Sequence, residues 1–296
     1  MQDLMAKQFV GFATNSGFMG TNQTSKAYKG FQQGRFWELT NTDVERVRRS
    51  VPEIEVVTPN ITKWGIEMVY NENKTSGTLK GLYPIYSKIE EPQISMGRYI
   101  NDMDILNRRK VCVLGSRIFE SLFPDKSNPC GKYIEVSGIY YQVIGVNMAA
   151  GNMSVQGQAE TSIIIPFSTM QQNYNFGDKI QMLSFTVKKG YSVSEIQKKV
   201  ESVIKRAHNV HPDDKQAVIS VNAEAMFGMM DNLFSGIEVL GWMVGLGTLL
   251  AGAIGVSNIM MVTVKERTTE IGIRRAIGAR PVSYTHLRAH ETGAYL

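Results

Sequence analysis

One long stretch of the chain carries no charge at all. Val239–Val264, "VLGWMVGLGTLLAGAIGVSNIMMVTV", contains neither Asp, Glu, Lys nor Arg. Cysteine is scarce: Cys112 and Cys130 are the 2 present, without a C-x-x-C or a His/Cys cluster. That excludes a disulfide scaffold and a zinc framework. A single disulfide is open to an extracytoplasmic segment, but with Cys112 in an apolar run and Cys130 in a turn, two free thiols are the preferred reading. No G-x-x-x-x-G-K-[ST] occurs, so this chain is not expected to cradle nucleotide phosphates, and neither G-x-S-x-G nor H-E-x-x-H is present. The net charge of +5 is dispersed, with no basic stripe interleaved with aromatics, and no nucleic-acid partner is expected. What remains is ordinary folded protein, 43% hydrophobic and 20% charged over 296 residues.

The uncharged stretch, extended to residues 236–264, is read as a transmembrane helix. As a helix, Val239–Val264 would reach about 39 Å, more than the ~30 Å hydrocarbon core of a bilayer. Gly241 with Gly245, and Gly247, Ala251 and Gly255, recur at four-residue spacing and would let another helix approach closely. Ile219–Glu238 contains no Lys or Arg, whereas Lys265, Arg267, Arg274, Arg275 and Arg280 follow the span. The positive-inside rule then puts the C-terminal side in the cytoplasm and everything before the span outside it.

The soluble part reads as α+β. Thr40 or Thr42 caps a helix bearing Val44, Val47 and Val51, which stops at Pro52 before a strand in "EIEVV". Near the other end, "MLSFTV" alternates as a strand. Ser192 and Glu195 suggest a capping box for a helix with Val193, Ile196, Val200, Val203, Ile204 and Ala207 on one face, and "AVISV" closes the unit. The two βαβ-like units, residues 35–87 and 173–230, are expected to pair in a ferredoxin-like, porter-like layer. Residues 88–172 read as a β-rich insert. It holds a strand in "RKVCVLG", a short helix in "SRIFESLF", a turn in "SNPCGK", a hairpin tipped by Ser137-Gly138, a strand in "TSIIIPF", and an exposed loop in "MAAGNMSVQGQAET". Residues 1–34 read as a stalk. His208 and His211 are expected to be solvated at a helix end, and Asp102, Asp104, Glu90 and Glu91 to be surface charge. No catalytic set and no metal site is expected.

Behind the span, "VKERTTEIGIRRAIGA" forms a charged amphipathic segment, residues 265–281. Its spacing alone leaves a partner-binding helix and a lipid-facing interfacial helix equally open. The run "NIMMVTVKERTTEIGIRRAIGA" resembles the cytoplasmic end of the second membrane helix in the MacB/FtsX family of ABC-transporter permeases. "VPEIEVVTP", "RKVCVLGSRIFESLF", "NPCGKYIEVSGIYYQVIGV" and "SIIIPF" are similar to its periplasmic core domain, in the same order. Cys130 departs from the aliphatic residue usual before "GK".

The resemblance implies a non-catalytic permease that works as a mechanical transmitter, with Glu266, Arg267, Glu270, Ile271 and Arg274 contacting an ATP-binding subunit or domain. It also implies no cofactor in this chain, ATP and Mg being held by the partner ATPase. Further expectations are a second permease copy, a periplasmic adaptor with an outer-membrane channel, contact with membrane lipid, and residence in the bacterial inner membrane. The alternative within the resemblance is an FtsX-like anchor that activates a cell-wall hydrolase. "VSYTHLRAHET" looks like a translated sequencing adapter, so residues 282–296, with His286 and His290, are expected to be an artefact. A first membrane helix before Met1 and two more after residue 281 are expected.

Overall fold

The computed structural model describes residues 11–148 and 155–278, leaving aside the side chains of residues 270, 271 and 274. The chain divides into two units, Met1–Gly228 and Met229–Leu296.

In the first unit the strands are β1 (Ser16–Thr21), β2 (Leu39–Thr40), β3 (Ile54–Tyr70), β4 (Asn73–Leu82), β5 (Gln93–Gly97), β6 (Val111–Gly115), β7 (Tyr133–Val136), β8 (Ile139–Met148), β9 (Ser162–Pro166), β10 (Lys179–Ile180), β11 (Met182–Val187) and β12 (Val218–Asn222). Its helices are α1 (Asn41–Ser50), α2 (Asp102–Leu106), α3 (Ser116–Leu122), α4 (Phe167–Asn173) and α5 (Val193–Ala207). Helix α6 (Ala223–Glu266) starts in this unit and continues into the second, where α7 (Thr268–Ala276) follows.

Two βαβ units, β1-α1-β3 and β11-α5-β12, interleave as an antiparallel sheet in the order β12-β1-β11-β3. Numbered along the chain this is fourth-first-third-second, the ferredoxin-like arrangement. Helix α1 begins at Thr40, where the Asp43 carboxylate accepts the Thr40 N–H (2.9 Å) and its hydroxyl (3.0 Å). Val44 and Val47 are buried, and Val51 closes the helix. In α5 the residues Val193, Ile196, Val200 and Ile204 are buried and Val203 is partly so. The two stripes share one core with Met19, Val57, Leu183 and Phe185. Burying a side chain of Phe185's size stabilises the fold by roughly 2–3 kcal/mol.

The second half of β3 changes partner, from β11 up to Asn60 to β4 from Ile61 onward. From there hydrogen bonding passes through β4, β9, β6 and β8, and β7 joins β8 back to β3, so the ring closes and β5 extends it at β8. Closure pairs the ring strands with one another, while β5 and β12 stand at the two ends of the strand order. Ser137 (φ 50) and Gly138 (φ 80) both lie at positive φ, the signature of a type I′ hairpin, which supplies the turn type at this tip.

Several expectations change here. Residues 16–21 belong to the ferredoxin-like sheet, between β11 and β12, rather than to a stalk. The lobe boundary falls inside β3, at Asn60 and Ile61, instead of after residue 87. The capping box of Ser192 and Glu195 does not form; the Glu224 carboxylate accepts the Val193 N–H (2.8 Å) and the Ser192 hydroxyl (3.3 Å) in its place. Gln156, expected in an exposed loop, is buried and accepts the Thr62 hydroxyl at 3.0 Å. Both cysteines are free.

Candidate functional site

Helix α6 is 44 residues long and apolar around its whole circumference through the second unit, where Trp242, Leu249, Ile254 and Ile259 are all exposed. Its most apolar window is 0% buried, which separates it from the core helix of a soluble domain. Among the described residues it is the 1 helix long and apolar enough to cross a membrane. A Cβ built on Gly241, Gly245, Gly247 or Gly255 meets nothing within 4 Å, and Ala251 is exposed. At ~100° per residue, Gly241, Gly245 and Gly255 fall on one face with Thr248 and Gly252, while Gly247 and Ala251 lie to one side of it. The small-residue face is open.

The charged foot, expected as one segment over 265–281, is divided. Lys265 and Glu266 end α6, Arg267 forms a break, and α7 begins at Thr268. Hydrogen bonds cross the break: Arg267 N–H to the Thr263 carbonyl (3.1 Å) and the Thr268 hydroxyl to the Val264 carbonyl (2.8 Å). Gly278, at φ 83, follows the C-cap Ile277 as left-handed glycines do at helix ends. Glu266 and Arg267 are exposed, as are Ile273 and Ile277. The backbones of Glu270, Ile271 and Arg274 lie in α7, and their side chains fall outside the described part, as does the adapter-like segment 282–296.

The polar constellations of the first unit described below hold its tertiary structure together. Asp43, fully buried, receives His208 Nε2 at 2.8 Å and pairs with Arg46, tying the start of α1 to the end of α5. Burial would raise its carboxyl, but the His208 and Thr40 hydrogen bonds outweigh that and hold it below the usual range. His208 is therefore a tertiary link and not a solvated histidine. His211 goes elsewhere, its Nδ1 accepting the Asp213 N–H and its ring meeting Tyr28 edge-on. Asp104 is not surface charge either. It is fully buried, held by the Arg98 fork (2.6 and 3.0 Å) and by the Asn101 N–H (3.0 Å). Those contacts outweigh its burial and lower its pKa. Asp214 is similarly lowered: the Ser25 hydroxyl and the N–H groups of Ser25 and Lys26 outweigh its burial.

Sequence reading missed the buried Lys80, whose Nζ donates to the Gly157 carbonyl at 2.9 Å. Burial lowers its pKa, while the nearby Glu90 charge opposes the shift. Lys80, Tyr86, Glu90 and Tyr99 line a cleft of about 10 Å³, room for one water and not for a substrate. The alternation of polar with apolar residues in "GTLKGL" was the available signal, but lysine in a strand reads as outward-facing. Among the described residues no group of three His, Cys, Asp or Glu side chains could hold a metal.

An α+β first unit followed by one exposed apolar helix has counterparts among known proteins. The MacB-like periplasmic core domain family matches residues 1–203. The chain belongs to this family. A macrolide export ATP-binding/permease protein MacB from Rhodospirillum rubrum is 30% identical over 242 residues, which cover 82% of this chain and 36% of that protein. A pyoverdine export ATP-binding/permease protein PvdT from Pseudomonas syringae pv. tomato is 29% identical over 187 residues, 63% of this chain and 28% of that one. The chain thus spans about a third of the curated relatives it matches. Among solved structures, the periplasmic region of MacB from Actinobacillus actinomycetemcomitans aligns at a TM-score of 0.58 and 19% identity, covering 77% of this chain and 98% of that one. The extracellular domain of the noncanonic ABC-type transporter YknZ from Gram-positive bacteria aligns at 0.56, also at 19% identity, covering 70% and 100%. Both likenesses carry the fold, and in this chain one candidate span follows the MacB-like core domain.

Proposed function

We propose that this chain is part of the permease of an ABC-type exporter, with its outer domain in the periplasm and α6 crossing the inner membrane. One observation carries the reading: a MacB-like core domain runs without a linker into an apolar, uncovered helix, and a charged helix follows that one. The relatives named for macrolide and pyoverdine export combine ATP-binding and permease parts, which supports an ATP-binding subunit or domain as partner. The basic flank after the span supports a cytoplasmic α7. There Glu266, Arg267, Glu270, Ile271 and Arg274 would seat against the ATPase, and Ile273 and Ile277 would gain apolar cover. The open small-residue face of α6 suits a further membrane helix, from this permease or from a second copy of it. ATP and Mg stay on the ATPase, and this chain contributes no chemistry. It transmits closure of the ATPase to the outer domain, to drive export together with a periplasmic adaptor and an outer-membrane channel.

The test is Glu270→Arg in the complete protein assembled with its ATPase. Reversing that charge is expected to lower export at least tenfold per ATP hydrolysed, while the circular dichroism and melting of the outer domain stay unchanged. Unchanged coupling would remove α7 from the ATPase interface. ATP-dependent activation of a cell-wall hydrolase, without export, would transfer the chain to the FtsX-like regulatory role.

A further inference from the structure

The junction between β12 and α6 has no linker: Asn222 ends the strand and Ala223 begins the helix. A change in the direction of α6 must therefore either be absorbed in the backbone of these two residues or be handed to whatever holds them. Three observations show how they are held. The Asn222 Oδ1 accepts the Ala225 N–H at 3.0 Å, capping the first turn of α6, and its Nδ2 donates to the Ser194 hydroxyl at 2.8 Å. The Glu224 carboxylate accepts the Val193 N–H at 2.8 Å and the Ser192 hydroxyl at 3.3 Å, occupying the N-terminus of α5, where Ser192 and Glu195 had the sequence to do so. Ala223 is buried, and Phe227, one turn on, meets Phe12, which stacks on Phe18 of β1.

The first turn of α6 is thus riveted to the first turn of α5. We infer that Glu224 is a positioning residue, the clamp through which movement of α6 is delivered to α5 and from there to the ferredoxin-like sheet. Resting on the permease reading above, this names the point of transfer on the outer-domain side. A carboxylate is well suited to clamping here, because a charge-assisted hydrogen bond to an unpaired helix N–H is about twice as strong as a neutral one and directional. The favourable pole of the α5 dipole adds to it. Glu224 is also exposed, so the clamp can be altered without opening the core.

The experiment uses the complete permease with its ATPase in lipid nanodiscs, and reads amide hydrogen exchange with and without a non-hydrolysable ATP analogue. This needs no transported compound. In wild type, nucleotide is expected to change exchange along α5 and β12. Glu224→Ala should raise exchange at Val193 and its neighbours about tenfold in the absence of nucleotide, and reduce the nucleotide response of α5 several-fold. ATP hydrolysis and the exchange of β3 and β11 should be unaltered. Glu224→Gln keeps an acceptor oxygen and should restore most of both effects. A deprotected Val193 with the nucleotide response of α5 intact would overturn the clamp while leaving the permease reading in place. Unchanged exchange at Val193 would overturn it as well. No nucleotide response in the wild-type protein would sink the permease reading, and the inference with it.

Discussion

The outer domain and the helices beyond Gly228 are built on opposite terms. In the first, a large apolar core is covered, as with Phe18, Tyr141 and Phe185 of the sheet and Phe167 of α4, and each buried carboxylate named above is answered by donors. In the second, Leu249, Ile254 and Ile259 are covered by nothing, and the glycines of α6 open onto empty space. The domain therefore holds its fold by its own contacts. The apolar circumference of α6 suits lipid, or partners that supply the missing surface. The same residue type means different things in the two: a Leu exposed on the domain is tolerable, while a continuous apolar circumference is an address.

The comparison can be broken most severely by exchanging the kinds of damage. Phe185→Ala should cost the outer domain about 3–5 kcal/mol, by lost burial and a cavity, and lower its melting temperature sharply. Leu249→Arg places a charge near the middle of the span at a cost of about 2.5–3.5 kcal/mol of insertion, and should leave the melting of the domain untouched. Thermal melting and membrane fractionation of both variants check this; the contrast fails if each variant affects both regions.

Acid gives a smaller effect, confined to the domain. Asp43, Asp104 and Asp214 all have folded pKa values lowered from 3.8, so the unfolded chain binds protons first as pH falls. Their contribution is fully present above the unfolded pKa and is lost as pH drops through the lower folded values, below about pH 4. Denaturant melts should show stability level from pH 7 to about 5 and falling below 4. Asp104→Asn, which removes the charge that Arg98 and Arg109 answer, should flatten that fall. An equally steep acid transition in the variant would show that Asp104 does not drive it.

Legibility in the sequence followed the range of the interactions. The span was readable because 26 successive residues repeat one local property, and α1 because Thr40, Val44, Val47 and Pro52 are local signals. Strand β1 was missed because "SGFMGT" is short and glycine-containing, and takes its place only by pairing with strands far along the chain. The length of β3 was hidden by Pro59, which reads as a stop although the strand passes through it opposite Leu183. The cap of α5 was misassigned for the same reason. Glu195 is near in sequence, but Glu224 is the residue that arrives in space. Asp104 and His208 looked like surface groups because nothing local announces Arg98's fork or Asp43's carboxylate.

The sidedness of α6 separates the two regions in one measurement. In a Cys112→Ser, Cys130→Ser background of the complete protein, single cysteines replace exposed Tyr140 in the outer domain or exposed Glu266 at the end of α6. Intact cells, with the outer membrane permeabilised, are then treated with a membrane-impermeant maleimide. A membrane-crossing α6 predicts labelling of Tyr140→Cys at once and of Glu266→Cys only after the inner membrane is broken. Labelling of both before lysis would contradict it, because α6 would then not cross the membrane.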